Sequence, residues 1–306
     1  MSVVFPKAFT SPDATAGDAR RGGAFASEPV LVLDRAPGAE RLVALREQVR
    51  RLERDDGNAP GATAVPTGVP EIDATLPGGG LATGALHEVL AGGPPGHDGA
   101  ALAFAARLLG RFDAARAARG AAGPVLWCRR PTGVFDAPPY APALAPFIDP
   151  ARLIVVAARG ADDVAWAMEE GLRCRGLCAV LGEIADADLV ATRRLQLAAE
   201  KSGVPALLLR VAGHRRVDAP GATSAVTRWR VSPRPSAPSL DADGRATRDI
   251  GAPRWRIELT RNRFGDPARA DIPTWTVEWN DETGDLAVVP EAVDRPLGAA
   301  GQRLVG

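Results

Sequence analysis

Lysine is almost missing from this sequence. Of its 37 basic residues only Lys7 and Lys201 are lysines, and none stands between them. Any chemistry that needs an ammonium group there, such as the phosphate grip of a nucleotide-binding loop, has no residue to use. Cysteine is scarce too. Three among 306 residues, Cys128, Cys174 and Cys178, exclude a disulfide framework. Cys174 and Cys178 have no third or fourth ligand nearby in the chain and read as buried thiols, so no metal is expected. Excess charge is absent: 37 Lys and Arg balance 37 Asp and Glu. That excludes a globally basic, histone-like chain and a globally acidic one. No apolar run approaches the roughly 20 residues that span a bilayer. Residues 1–20 lack the charged-then-apolar pattern of a signal peptide. The expected location is cytoplasmic, without a membrane.

What is present is an Ala-rich apolar content of 46%, with 33 glycines and 27 prolines. It is enough for a core in one large or two small domains. Residues 1–38 are polar and Pro/Gly-rich and read as a disordered arm. Residues 39–64 read as an amphipathic helix and linker. Leu42, Leu45, Val49 and Leu52 recur at helical spacing, and Asp55–Asn58 with Pro60-Gly61 ends the helix. Its narrow apolar edge has to be buried, on its own domain or on a protein partner. Over 65–232, short apolar strands alternate with helices. Strands are expected at Leu86–Leu90, Pro124–Cys128, Leu153–Ala157, Leu177–Leu181, Val204–Leu209 and Thr227–Val231. Helices are expected at Ala100–Ala118, Asp162–Cys174 and Asp186–Lys201. This alternation predicts an α/β fold with a mostly parallel sheet flanked by helices. Residues 233–253 read as a flexible insertion. Residues 254–290 alternate with period two and predict a small C-terminal antiparallel β extension, and 291–306 a tail.

The informative stretch is Ala91-Gly92-Gly93-Pro94-Pro95-Gly96-His97-Asp98-Gly99-Ala100-Ala101, a Gly-rich loop between a strand and a helix. That is the architecture of a phosphate-binding loop. Every register leaves Ala, Gly or Asp where such a loop needs lysine. Pro94 and Pro95 remove backbone donors, and Asp98 repels phosphate. Two readings stand, a plain strand-to-helix turn or a nucleotide site; the residues favour the first, with Gly92, Gly93, Gly96 and Gly99 as a vestigial phosphate loop and no cofactor expected.

The segments Pro66-Thr67-Gly68-Val69-Pro70-Glu71-Ile72-Asp73, Leu76-Pro77-Gly78-Gly79-Gly80-Leu81, Gly84 and His87-Glu88-Val89 resemble the opening of the RecA-type recombinase core. Three further stretches, 227–231 (TRWRV), 253–259 (PRWRIEL) and 275–279 (WTVEW), are similar to the ImuA family of RecA-like SOS-mutagenesis proteins. The resemblance covers about residues 40–290. It implies a RecA-like core preceded by an N-terminal helix. It also implies a non-catalytic accessory role in damage-induced translesion synthesis. The implied partners are ImuB, an error-prone DnaE-type polymerase reached through ImuB, RecA and single-stranded DNA. The catalytic residues do not carry over. The water-orienting acid would fall in Trp127-Cys128-Arg129-Arg130-Pro131, and Gly182 replaces the magnesium-linked aspartate, with Glu183 next to it. No catalytic residue is therefore expected. Two other classes remain, a DNA-stimulated ATPase with an atypical site and a SulA-like cell-division inhibitor.

Charge is segregated locally. Residues 205–270 hold 13 Arg against 6 acids, whereas 271–306 hold 2 Arg against 7. Arg210, Arg215, Arg216, Arg228, Trp229 and Arg230 are the candidate DNA contacts, with guanidinium forks for phosphate and indole for stacking. The competing reading makes arginine an ordinary surface cation and the tryptophans core residues. His87 reads as a satisfied core histidine, and Asp162-Asp163 and Glu169-Glu170 as solvated helix faces.

Overall fold

The computed structural model describes residues 63–290 apart from 94–97, 132–138, 211–220, 238, 240–242, 244–248, 266–270 and 281–282. The predicted N-terminal helix with Leu42, Leu45, Val49 and Leu52 lies outside the described residues. So do Gly96, Arg215 and Arg216.

The chain enters through β1 (Ala64–Val65), a short helix α1 (Pro70–Asp73) and β2 (Leu81–Ala82), with β1 and β2 paired antiparallel. The Thr-Gly…Asp pattern of this segment closes a turn. The Asp73 carboxylate accepts from the Thr67 amide and hydroxyl, both at 2.7 Å, and from the Gly68 amide at 3.2 Å. Then come β3 (Leu86–Ala91), α2 (Gly99–Ala117), β4 (Val125–Arg129), α3 (Ala141–Leu144), β5 (Leu153–Ala157), α4 (Ala161–Leu172), β6 (Ala179–Glu183), α5 (Leu189–Ser202) and β7 (Ala206–Arg210). The last four strands are β8 (Thr227–Arg234), β9 (Arg254–Asn262), β10 (Thr274–Asn280) and β11 (Asp285–Val288).

Nine of these strands form one sheet in the order β11-β10-β9-β8-β3-β7-β6-β4-β5. From β8 through β5 every neighbouring pair is parallel, and from β8 through β11 every pair is antiparallel. The α/β class and the mostly parallel sheet are as the sequence predicts. The C-terminal strands are continuous with the core, because β9 pairs along nearly the whole of β8.

The central parallel strands are buried on both faces because both faces are covered, whereas β5, at the sheet edge, leaves Ile154 and Val155 exposed. On one side Phe104, Leu108 and Phe112 of α2 pack on Val89, Trp127, Leu181, Leu207 and Trp229. On the other, Val164 and Met168 of α4 and Leu195 and Ala199 of α5 pack on Leu86, Cys128, Val180 and Leu208. Helix α5, expected over Asp186–Lys201, runs over Leu189–Ser202. Asp188 Oδ1 accepts from the Ala191 amide at 2.7 Å, and Gly203 takes φ 79° past its end.

Candidate functional site

In a parallel sheet all strand C-termini open on one edge. Here that edge carries the Gly-rich loop after β3, the N-terminus of α2, and the ends of β4, β6 and β7. Such an edge is where an α/β fold holds ligands.

The loop begins by closing on the protein itself. The Gly92 amide, which an anion cradle would present, donates to the Val231 carbonyl at 2.7 Å. A Cβ built on Gly92 would stand 2.1 Å from Ser232 Oγ and 2.9 Å from Arg230 Cγ. Glycine is required there by the approach of β8. Gly93 adopts φ 117°, and Gly99 has open space around it. Ala100 and Ala101 are buried in the α2 core cluster. Asp98 stands at the head of α2, so the positive end of the helix dipole meets a carboxylate of the chain itself.

Glu183, the acid nearest the lost aspartate position, ends β6 on the α2 side. It accepts from the Trp127 indole at 2.6 Å and lies 3.5 Å from Arg129 Nε. The basic run at the end of β4 thus faces the acid at the end of β6.

Behind the loop, His87 is fully buried and satisfied at both ring nitrogens. Its Nε2–H donates to the Ala82 carbonyl at 2.9 Å, since a carbonyl only accepts. Its Nδ1 then accepts from the Thr227 hydroxyl at 2.8 Å, and that hydroxyl accepts the Trp229 indole N–H at 2.8 Å. Burial pushes the imidazole pKa down to about 4, so the ring is neutral. Burial also pushes the Cys128 and Cys178 thiols up to about 12, whereas Cys174, expected to be buried, is exposed in the turn after α4. Among the described residues no three potential metal-ligating side chains converge. No helix there is long and apolar enough to cross a membrane.

On the opposite face of β3, Glu88 is 0% exposed and lies between two arginines. Arg210 Nη1 meets its Oε1 at 3.3 Å, Arg228 Nε its Oε2 at 2.5 Å, and the Thr223 hydroxyl its Oε1 at 3.0 Å. Arg210 also donates to the carbonyls of Ala185 and Ala187, and Arg228 to that of Gly221. This Arg–Glu–Arg cluster ties the loop after β6 and the loop before β8 to the middle of the sheet.

The cluster corrects three of the candidate DNA contacts. Arg210, Arg228 and Trp229 are buried, with Trp229 at 0% exposure beside Phe104, ring centroids 5.8 Å apart. Two guanidiniums are committed to Glu88 and the indole to the core, so none of the three forms part of an outer surface. Arg230 is half-buried on the face of β8 that carries Ser232. Arg215 and Arg216 fall in the undescribed 211–220 segment. Nothing local in the sequence distinguishes Arg210 and Arg228 from surface arginines, because their partner lies 122 and 140 residues away.

A third buried arginine carries no local signal in the sequence. Arg107 of α2 donates to Asp285 Oδ1 at 2.8 Å and to the Gly284 carbonyl, and lies over the Trp279 ring at 5.7 Å. It fastens the β10–β11 hairpin to α2. The Arg-Trp-Arg and Trp-x-Val-Glu-Trp segments are the strands of this region. Trp229, Trp255 and Trp279 point into the α2-side core, and Arg254 pairs with Glu278 at 2.6 Å.

No protein-family model matches the chain. Protein ImuA of Caulobacter vibrioides, in strain NA1000 / CB15N and in strain ATCC 19089 / CIP 103742 / CB 15, is 38% identical to it over 207 residues. The match spans 65% of this chain and 79% of that protein.

Proposed function

The chain belongs to the ImuA family, and from that premise we propose that it works in damage-induced (SOS) mutagenesis as a non-catalytic docking body. The observation that carries this reading is the state of the Gly-rich loop. Its first amide is spent on β8, no lysine exists between positions 7 and 201, and alanines sit at the head of α2. Phosphoryl transfer is performed by placed positive charge and metal, and the lysine that would bring the loop's share of that charge does not exist between positions 7 and 201. The expected partners are ImuB and, through it, an error-prone DnaE-type polymerase, in the cytoplasm, with RecA as a further candidate. Leu42, Leu45, Val49 and Leu52 are the candidate partner contacts. Single-stranded DNA contact is assigned to Arg215, Arg216 and Arg230, the basic candidates that remain once Arg210 and Arg228 are placed against Glu88.

The test is ATP turnover by the purified chain with and without single-stranded DNA, beside parallel pulldowns on ImuB and FtsZ. Background turnover with ImuB capture is expected. Stoichiometric, DNA-stimulated hydrolysis would establish the ATPase reading instead, and FtsZ capture the SulA-like one. Changing Arg215 and Arg216 to Glu is expected to weaken single-stranded DNA binding and to flatten its salt dependence. Absence of DNA binding by the unmodified chain removes that assignment.

A further inference from the structure

Helices α4 and α5 lie side by side on the sheet face away from α2. Their C-terminal ends reach the sheet edge where β6 and β7 begin, opposite the Gly-rich loop. Between these ends is a groove with a volume of about 570 Å³. Its floor is apolar: Leu172, buried, and Leu197, which leaves 47% of its surface in water. Its rim is basic: Arg173, Arg175, Arg194 and Lys201.

Among the described residues the rim charge is only partly answered. Glu169 lies across the groove and pairs with both Arg173, at 3.3 Å, and Arg194. Arg173 also reaches Glu170 at 2.7 Å. Arg175 donates to the Lys201 carbonyl at 3.4 Å, so it serves the C-terminal carbonyls of α5. Arg194 lies well inside α5, where no helix terminus accounts for it. Against the four cations, Glu169 is the one acid in the lining. The Arg173 and Arg194 side chains are 64% and 58% exposed, so their forks turn readily to an incoming carboxylate.

Apolar floor and cationic rim ask for different things of one ligand. A small anion would satisfy the rim and leave Leu197 wet. A phosphate backbone would do the same. A short amphipathic segment of a protein, with Leu- or Phe-type side chains on one face and Asp or Glu beside them, answers both at once. We infer that the α4–α5 groove is a docking site for an acidic, amphipathic peptide segment of a partner protein. The assignment rests on charge complementarity and the exposed leucine, and stands independently of the mutagenesis reading. It also leaves the opposite edge free, so a segment docked here and a ligand at the Gly-rich loop do not compete.

The experiment is a display selection of random dodecapeptides on the full-length chain, followed by anisotropy titration of the enriched peptides at low and raised salt. Peptides combining Asp or Glu with Leu or Phe are expected to emerge and to bind more weakly as salt rises. The double change Arg173→Glu with Arg194→Glu, and separately Leu197→Asp, is expected to weaken them about tenfold or more. Thermal melting serves as the fold control. Exchanging the peptide carboxylates for lysines is expected to restore binding to the charge-reversed variant. The inference is overturned if no peptide is enriched, if those enriched lack acids, or if both variants bind as well as the parent. It is overturned equally if a single-stranded oligonucleotide binds the parent and loses affinity in both variants while peptides do not, which would make the groove a nucleic-acid site.

Discussion

Replacing Glu88 by Gln is the sharpest test of how this fold is held. The substitution keeps the shape and removes one negative charge from a site with 0% exposure. Two guanidiniums remain, with side chains 4% and 10% exposed. Each then lacks its counter-charge in a layer built of Leu86, Leu208 and Ala225. Breaking a buried pair from one side costs about 3–5 kcal/mol, because the stranded charge stays desolvated. Some of this is offset here, since Arg210 keeps the Ala185 and Ala187 carbonyls and Arg228 keeps that of Gly221. A loss of about 3 kcal/mol is therefore expected, a large part of the roughly 5–15 kcal/mol that holds a typical domain together. Urea unfolding followed by tryptophan fluorescence reads it directly. Amide exchange is expected to rise first at 184–188 and 221–224, the two loops that the arginines tie down. If Glu88→Gln unfolds within about 0.5 kcal/mol of the parent, the carboxylate is not the counter-ion argued here. A triple change to apolar residues of similar volume is expected to be far milder than the single one, since it strands no charge.

Two further expectations concern β3 and its loop. His87 has its pKa lowered in the fold to about 4 from 6.5, so the unfolded chain takes up the proton first as pH falls. Its contribution is fully present above about pH 6.5 and lost on descent to pH 4, about 3 kcal/mol in all. His87→Gln should remove that slope from a stability-against-pH curve, and an unchanged slope would assign it to other groups. Gly92→Ala drives a methyl into Ser232 Oγ. It should cost about 1–3 kcal/mol by overpacking, with most of the loss recovered when Ser232→Ala is added. Equal stability of the single and double variants would show that β8 does not set the requirement for glycine.

The order of strands and helices was legible in the chain because it depends on short-range periodicity, and Leu86–Ala91 and Gly99–Ala117 carry it plainly. Asp188 and Gly203 cap the two ends of α5 by bonds and backbone angles within a few residues of themselves. The missing lysine was legible absolutely, since an absent side chain cannot be supplied by folding. Arginine roles were not. Arg107, Arg210 and Arg228 look like any other arginine in the sequence, and only tertiary packing turns these three inward. Trp229 illustrates the same limit: it and Arg228 point to opposite faces of β8 and both are buried, because α2 covers one face and the Glu88 cluster lies on the other.

Composition, local periodicity and the absence of lysine between positions 7 and 201 were properties of the sequence alone, since each is set within a few residues of itself. The sheet order, the Arg–Glu–Arg cluster on Glu88, the closure of Gly92 on Val231 and the groove between α4 and α5 came from tertiary structure. Each joins residues far apart in the chain. Burial and charge pairing over such separations depend on which surfaces meet, and no local pattern encodes that meeting.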